Sequence, residues 1–236
     1  MSQQPPNKAL HPIWYSALVP RFLTQTGELD RSAGARGSTS SVTIEAMANI
    51  KYARDTSRWE KWQFEYQFGA FYIFPPAGVI EAVDALRQNY DPKSASICQA
   101  HISLSEPLPA PLSDQQIQEI RGALSAVEPF EIHYGPLRSF PPYPGVCHTI
   151  TPEDNFRQLR AALHSTPAFA GVPLKHEHIA PHMTIAEFIS VEGTDDLLQE
   201  LCGRVPEGTF LCNSIEYAVP NDGFYFERVL TIPFQG

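Results

Sequence analysis

The sequence predicts an α+β fold built as two pseudo-symmetric lobes, with mainly antiparallel sheets lining a central cleft and helices outside. Two observations carry that expectation. The stretch Ala100-His101-Ile102-Ser103-Leu104-Ser105 returns 81 residues on, from His101 to His182, as Pro181-His182-Met183-Thr184-Ile185-Ala186. Around both copies the apolar pattern runs strand, helix, His strand, helix, strand, and the expected helix caps Ser113 and Thr194 keep the same spacing of 81. The repeats fall at about 69–145 and 146–236, with the lobes interleaved, inside a bilobal domain 66–236 that follows a partly mobile N-terminal extension 1–65.

The elements follow in chain order. Residues 1 to about 41 are rich in Pro, Gln, Ser, Gly and Thr, and the aperiodic run from Arg31 to Ser41 predicts a mobile loop, with apolar islands at His11–Tyr15 and Leu18–Pro20 docked on the body. A short helix over Ile44–Tyr52 precedes the alternation Trp62, Phe64, Tyr66, Phe68, which reads as a strand with an aromatic face. That face could stack bases, although packing against the body is the commoner use. Gly69–Phe74 is a strand ended by Pro75-Pro76, and Val79, Ile80, Val83 and Leu86 mark a helix up to the turn at Asn89–Pro92. The His101 strand comes next, then a helix capped by Ser113 with Gln116 three residues on, then a strand at Phe130–Tyr134 and a Pro-rich turn. The second half repeats the order. It has a strand at Val146–Ile150, a Thr151-Pro152 cap, a helix on Phe156, Leu159 and Leu163, the His182 strand, and a helix on Leu197, Leu198 and Leu201. Phe210–Val219 reads as one strand and, through the Pro220–Gly223 turn, forms a hairpin with Phe224–Pro233.

Composition narrows the function. The 236 residues are 43% hydrophobic, enough to bury a core; no run of about 18 apolar residues and no signal-peptide pattern occurs, so a cytoplasmic protein, off the membrane, is expected. Cys98, Cys147, Cys202 and Cys212 lack C-x-x-C spacing and read as buried reduced thiols. A net charge of −9 disfavours broad binding to a long polyanion and favours a small nucleotide or a strand end, unless Arg138, Lys175, Arg204 and Arg228 form a local basic patch. No phosphate-binding G-x-x-x-x-G-K-[ST] loop and no G-x-S-x-G nucleophile occurs.

Both motifs are His-x-[Ser/Thr] on a strand. Alternate side chains share a face, so in each motif the imidazole and hydroxyl point the same way about 7 Å apart, while Ile102, Leu104, Met183 and Ile185 face the core. Two such strands side by side supply one base, one acid and two donors for phosphate oxygens, which suits displacement at a phosphodiester without a metal. Alone, each tripeptide is close to chance; in register, the pair points to a phosphoester site. His176-Glu177-His178 with His182 invites a zinc reading, but no third ligand sits at regular spacing and Pro181 interrupts the strand, so no metal and no other cofactor is expected. His178 and Lys175 are expected to edge the cleft or to form a solvated loop, and Tyr72 and His148, at equivalent places in the repeats, to face the cleft or the core. His11, His133 and His164 carry no pattern.

The chain resembles the 2H phosphoesterase superfamily, which includes the 2′-5′ RNA ligase-like proteins and RNA 2′,3′-cyclic phosphodiesterases. The likeness covers about 66–236 and rests on His101-Ile102-Ser103, His182-Met183-Thr184 and the duplicated order around them. It implies that His101 and His182 are catalytic and that Ser103 and Thr184 bind phosphate. The similar proteins tend to use the first-motif histidine as acid and the second as base, an assignment the sequence leaves open here. A nucleotide or RNA end is then the expected substrate of a monomer with no obligatory protein partner. The rivals are a non-catalytic nucleotide-binding module of the same fold and an interaction protein that uses the N-terminal extension.

Overall fold

The computed structural model of the chain describes residues 50–141, 143–175 and 179–236. The loop, the islands and most of the Ile44–Tyr52 helix expected before residue 50, and His176 to His178, lie outside the described residues.

The fold is α+β, as expected. Eight strands form one antiparallel sheet in the order β6-β3-β4-β5-β2-β1-β7-β8. The strands are β1 (Ala70–Ile73), β2 (Ile102–Ser103), β3 (Phe130–Phe140), β4 (Tyr143–Thr151), β5 (His182–Ala186), β6 (Gly208–Cys212), β7 (Ser214–Pro220) and β8 (Phe226–Pro233). The two His strands meet at the centre, with Ile102 paired to Met183. The repeats interleave: β3 of the first pairs with β4 of the second, and β7 of the second with β1 of the first.

The helices are α1 (Ala77–Tyr90), α2 (Pro92–Ala95), α3 (Asp114–Leu124), α4 (Glu153–His164) and α5 (Val191–Leu201). Apart from the single turn of α2, each buries an apolar stripe at helical spacing, such as Phe156, Leu159 and Leu163 of α4, against the face that carries Ile102, Leu104, Met183 and Ile185. Burial of each such side chain stabilises the fold by roughly 1.5–3 kcal/mol. The Ser113 cap of α3 forms a capping box with Gln116.

Four local expectations are corrected. The Trp62–Phe68 alternation is not a strand: Lys61–Tyr66 is a 3₁₀ helix in which Glu60 N–H donates to Gln63 Oε1 at 2.7 Å, and the buried rings are Trp59 and Trp62, three apart. Thr151 does not cap α4, because its backbone is still paired with His133 in the β3–β4 ladder. Ser190, not Thr194, caps α5, accepting from Gly193 N–H at 3.0 Å. Thr194 lies in the first turn, buried, where its hydroxyl donates to Ser190 O at 3.0 Å and accepts Gly145 N–H at 2.9 Å.

The fourth correction sets the shape of the sheet. Phe210–Val219 is two strands broken at Asn213, with β6 on one edge and β7 next to the other. Six strand spacings of a flat sheet span about 29 Å, whereas Cys212 to Ser214 can span at most about 7 Å. The sheet is therefore strongly curled, so that both ends meet at this corner. There Phe234 N–H donates to Asn213 O at 2.9 Å and the Phe130 and Phe234 rings stack at 6.4 Å.

The segment before β1 packs on the same body, with Tyr52 against the main core and Trp59 and Trp62 in a second apolar cluster with Tyr72, Phe224 and Phe226. Gly69 at its end has φ +72°, and a Cβ there would lie 2.2 Å from Ala218 O. Cys98, Cys147 and Cys212 are buried free thiols, but Cys202 at the end of α5 is exposed.

Candidate active site

The Ile102–Met183 pair determines how the motifs combine. In an antiparallel ladder it places His101 opposite Thr184 and Ser103 opposite His182, on the face away from the core, as cross-strand neighbours roughly 5 Å apart. His101, Ser103, His182 and Thr184 line one cavity of about 30 Å³ together with Arg87, Ser94 and Glu187.

Both imidazoles are held in the same way. His101 Nδ1 lies 2.7 Å from Gln99 O and His182 Nδ1 2.9 Å from Ala180 O, each two residues back along the chain. A carbonyl only accepts, so Nδ1 carries the hydrogen and each neutral ring keeps its Nε2 lone pair for the cleft. Aromatic rings brace them: Tyr72 meets His101 edge-on at 4.8 Å, and Phe140 lies 5.4 Å from His182. Burial lowers the pKa of both histidines. At His101 the nearby Arg87 guanidinium adds to burial and the value falls to about 4.

The other candidates separate. Tyr72, paired with Ser103, faces the cleft. His148 does not: it pairs with Met183 and points into the core against Tyr134, fully buried, with neither ring nitrogen hydrogen-bonded among the described residues. The residue opposite Thr184, and so equivalent to Tyr72, is Cys147, because a bulge between Val146 and Cys147 shifts the register. Lys175 lies outside the histidine cavity, its ammonium 3.7 Å from Glu65 and its backbone N–H on Glu106. His178 lies outside the described residues. Of the basic residues named with it, Arg228 pairs with Glu216 at 3.5 Å and sits over the Phe74 ring. Among the described residues no group of three His, Cys, Asp or Glu could hold a metal ion, and no helix is long and apolar enough to cross a membrane.

Arg87, Ser94 and Glu187 are additions that the motifs alone did not reveal. Arg87 Nη1 donates to Asp84 at 2.7 Å and Nη2 to Ser94 Oγ at 2.9 Å, and Ser94 Oγ donates on to Glu187 Oε1 at 3.3 Å. Burial and the neighbouring Asp91 carboxylate raise the Glu187 pKa to about 7. Two signals were present in the sequence. Arg87 occupies the buried stripe of α1 after Ile80 and Val83, and Glu106 and Glu187 each follow a motif histidine by five residues, in the 81-residue register.

A curled antiparallel sheet from a duplicated unit, with a His-x-[Ser/Thr] strand from each half at its seam, defines a two-histidine phosphoesterase fold. The model of the 2′-5′ RNA ligase superfamily matches residues 74–223, more than half of the chain, and the protein belongs to this family, the 2H phosphoesterases. Among its relatives, a Bacillus cytotoxicus protein provisionally named a phosphoesterase is 31% identical over 134 residues, covering 55% of this chain and 74% of that protein. A Bacillus cereus protein with the same provisional name is 32% identical over 138 residues, with the same coverages. Among solved structures, one described as a phosphoesterase aligns with a TM-score of 0.48 at 14% identity, over 71% of this chain and 97% of that one. E. coli LigT complexed with 3′-AMP aligns at 0.47 and 14%, over 71% and 96%.

Proposed function

We propose that this protein is a metal-independent phosphodiesterase that opens a 2′,3′-cyclic phosphate or a 2′-5′ phosphodiester in a small nucleotide or an RNA end. The observation that carries the reading is the pair of imidazoles, each fixed through Nδ1 by a backbone carbonyl, lining one cavity with two hydroxyls. The family and the provisional names of the relatives support phosphoester hydrolysis as the reaction class.

In the proposed reaction one histidine takes a proton from water through Nε2 as the water oxygen attacks phosphorus. The bond from phosphorus to the ribose oxygen breaks, and the other histidine, entering as imidazolium, gives that oxygen its proton. Ser103 and Thr184 hydroxyls donate to the non-bridging oxygens, and the buried Arg87 charge offsets the charge that develops there. Burial lowers both rings, with the Arg87 guanidinium adding to it at His101 and Arg160 at His182; we take His101, lowered to about 4, as the base and His182 as the acid, the reverse of the order usual among similar proteins.

Turnover of the four 2′,3′-cyclic nucleotides with and without EDTA tests the reading. Hydrolysis that persists in EDTA is expected. His101→Ala and His182→Ala should each reduce kcat/KM by at least about 10³-fold with the melting temperature little changed, and an active double variant would sink the assignment. A phosphodiester with a good leaving group should rescue His182→Ala more than His101→Ala, because such a group departs without a proton. Tight nucleotide binding with no turnover would favour the binding-module reading instead.

A further inference from the structure

A second cavity, of about 70 Å³, shares His101, Ser103 and Glu187 with the first. The rest of its wall is mainly aromatic: Trp62, Tyr66, Tyr72, Phe188, Phe224 and Phe226. We propose that this cavity is the base subsite of the phosphodiesterase, and that Glu187 makes it prefer a base with an exocyclic amino group, cytosine over uracil in particular. This rests on the catalytic reading above and adds the base to it.

Three features support the assignment. The cavity is continuous with the phosphate-binding cavity through His101 and Ser103, so a base placed there is on the same nucleotide as the reacting phosphate. Trp62, Tyr72, Phe224 and Phe226 are buried and pack edge-on, as Trp62 does on Phe224 at 5.2 Å and Tyr72 on Phe226 at 5.7 Å, forming a rigid floor. Tyr66 and Phe188 are only half-buried; the Lys93 ammonium lies 4.4 Å over one face of the Phe188 ring, and the remaining ring surface is offered to a base. At about 70 Å³ the cavity has room for roughly five waters, closer to one ring than to two, which favours a pyrimidine.

The chemistry of selection comes from the carboxylate. Glu187 Oε1 takes the Ser94 hydroxyl, while Oε2 has no hydrogen bond among the described residues. An ionised carboxylate only accepts, so it rewards the cytosine 4-amino group and repels the uracil O4 carbonyl. With the Glu187 pKa raised to about 7, the carboxylate form prevails above that pH, and below it the acid can donate to O4 instead. Discrimination should therefore grow as pH rises through 7. Trp62, Tyr66, Phe224 and Phe226 all lie outside residues 74–223, which makes this subsite a feature of this chain more than of the family match.

The test is the ratio of kcat/KM for 2′,3′-cyclic CMP over 2′,3′-cyclic UMP, at pH 6 and pH 8, for the full chain and its variants. A preference of about 10- to 100-fold is expected at pH 8, shrinking toward unity at pH 6 and in Glu187→Ala at either pH. Glu187→Gln, which keeps the volume but can also donate, should lose the preference too. Phe188→Ala should raise KM for both nucleotides alike. A wild-type ratio near one, or a ratio unchanged in Glu187→Ala, overturns the proposal. If neither nucleotide is hydrolysed, calorimetric binding of 3′-CMP and 3′-UMP provides the same comparison. Tighter 3′-CMP binding that Glu187→Ala abolishes supports the subsite even if the catalytic reading fails, equal binding overturns the subsite alone, and no binding overturns both.

Discussion

His148 shows most clearly how position changes the meaning of a residue type. It shares the repeat with the site histidines, yet its ring is fully buried with both nitrogens unpartnered among the described residues, and burial lowers its pKa to about 4. His101 and His164 are also lowered to about 4. The unfolded chain, with histidines near ~6.5, then binds protons in a range where the folded chain does not. The contribution to stability is complete above about pH 6.5 and declines as pH falls toward 4, by up to ~1.4 kcal/mol per pH unit per histidine. Urea unfolding should show the midpoint dropping across this window, and His148→Phe should flatten part of the drop. The same variant should gain about 1 kcal/mol or more at neutral pH by removing unsatisfied polar atoms. The four motif residues, which the fold brings to one cavity, stood out in the sequence because duplication lifted them above chance. Glu187 shared their register, but the duplicated motif ends at the hydroxyl and gave no reason to look past it. Cys147 replaced His148 opposite Thr184 because a bulge adds a residue that no pattern of alternation displays.

At the level of elements, periodicity located nearly every helix and strand; the errors are two caps, one strand broken at Asn213 and one aromatic run taken for a strand. Ser113 and Thr194 share a spacing and an expected role, but the side chains of Ser190 and Thr194 divide the work at α5. Ser190→Ala should cost about 1 kcal/mol, as loss of a cap. Thr194→Val should cost about 1–3 kcal/mol, since it leaves the buried Gly145 N–H without an acceptor, and thermal unfolding of the two variants ranks the roles. Gly69→Ala should cost more than either, because φ +72° and the approach of Ala218 O leave no room for a Cβ. The aromatic run at 62–68 was misread for a physical reason: spacing by two and spacing by three coincide over so short a stretch, and the Glu60–Gln63 side-chain bonds that favour the 3₁₀ turn are not hydrophobic signals at all.

At the level of the molecule, the repeat is a unit of sequence and not of folding. In the first half β3 lacks β6 and all but the start of β4, which belong to the second, and β7 in the second half lacks β1. Fragments 1–145 and 146–236, made separately, should each lack cooperative unfolding, and mixing them should restore the ladder and the activity; a fragment that folds alone would contradict the interleaving. The duplicated order and an interleaving of its halves are expected from the sequence, but which strands pair across the halves is not, because pairing partners leave no local trace. The corner at Asn213 carries a consequence of its own. By joining the edge strand β6 to β7 beside the other edge, it ties the two ends of the ribbon together through the chain itself. The spacing of the two imidazoles, set where β2 meets β5, is thereby tied to the curl of the whole sheet.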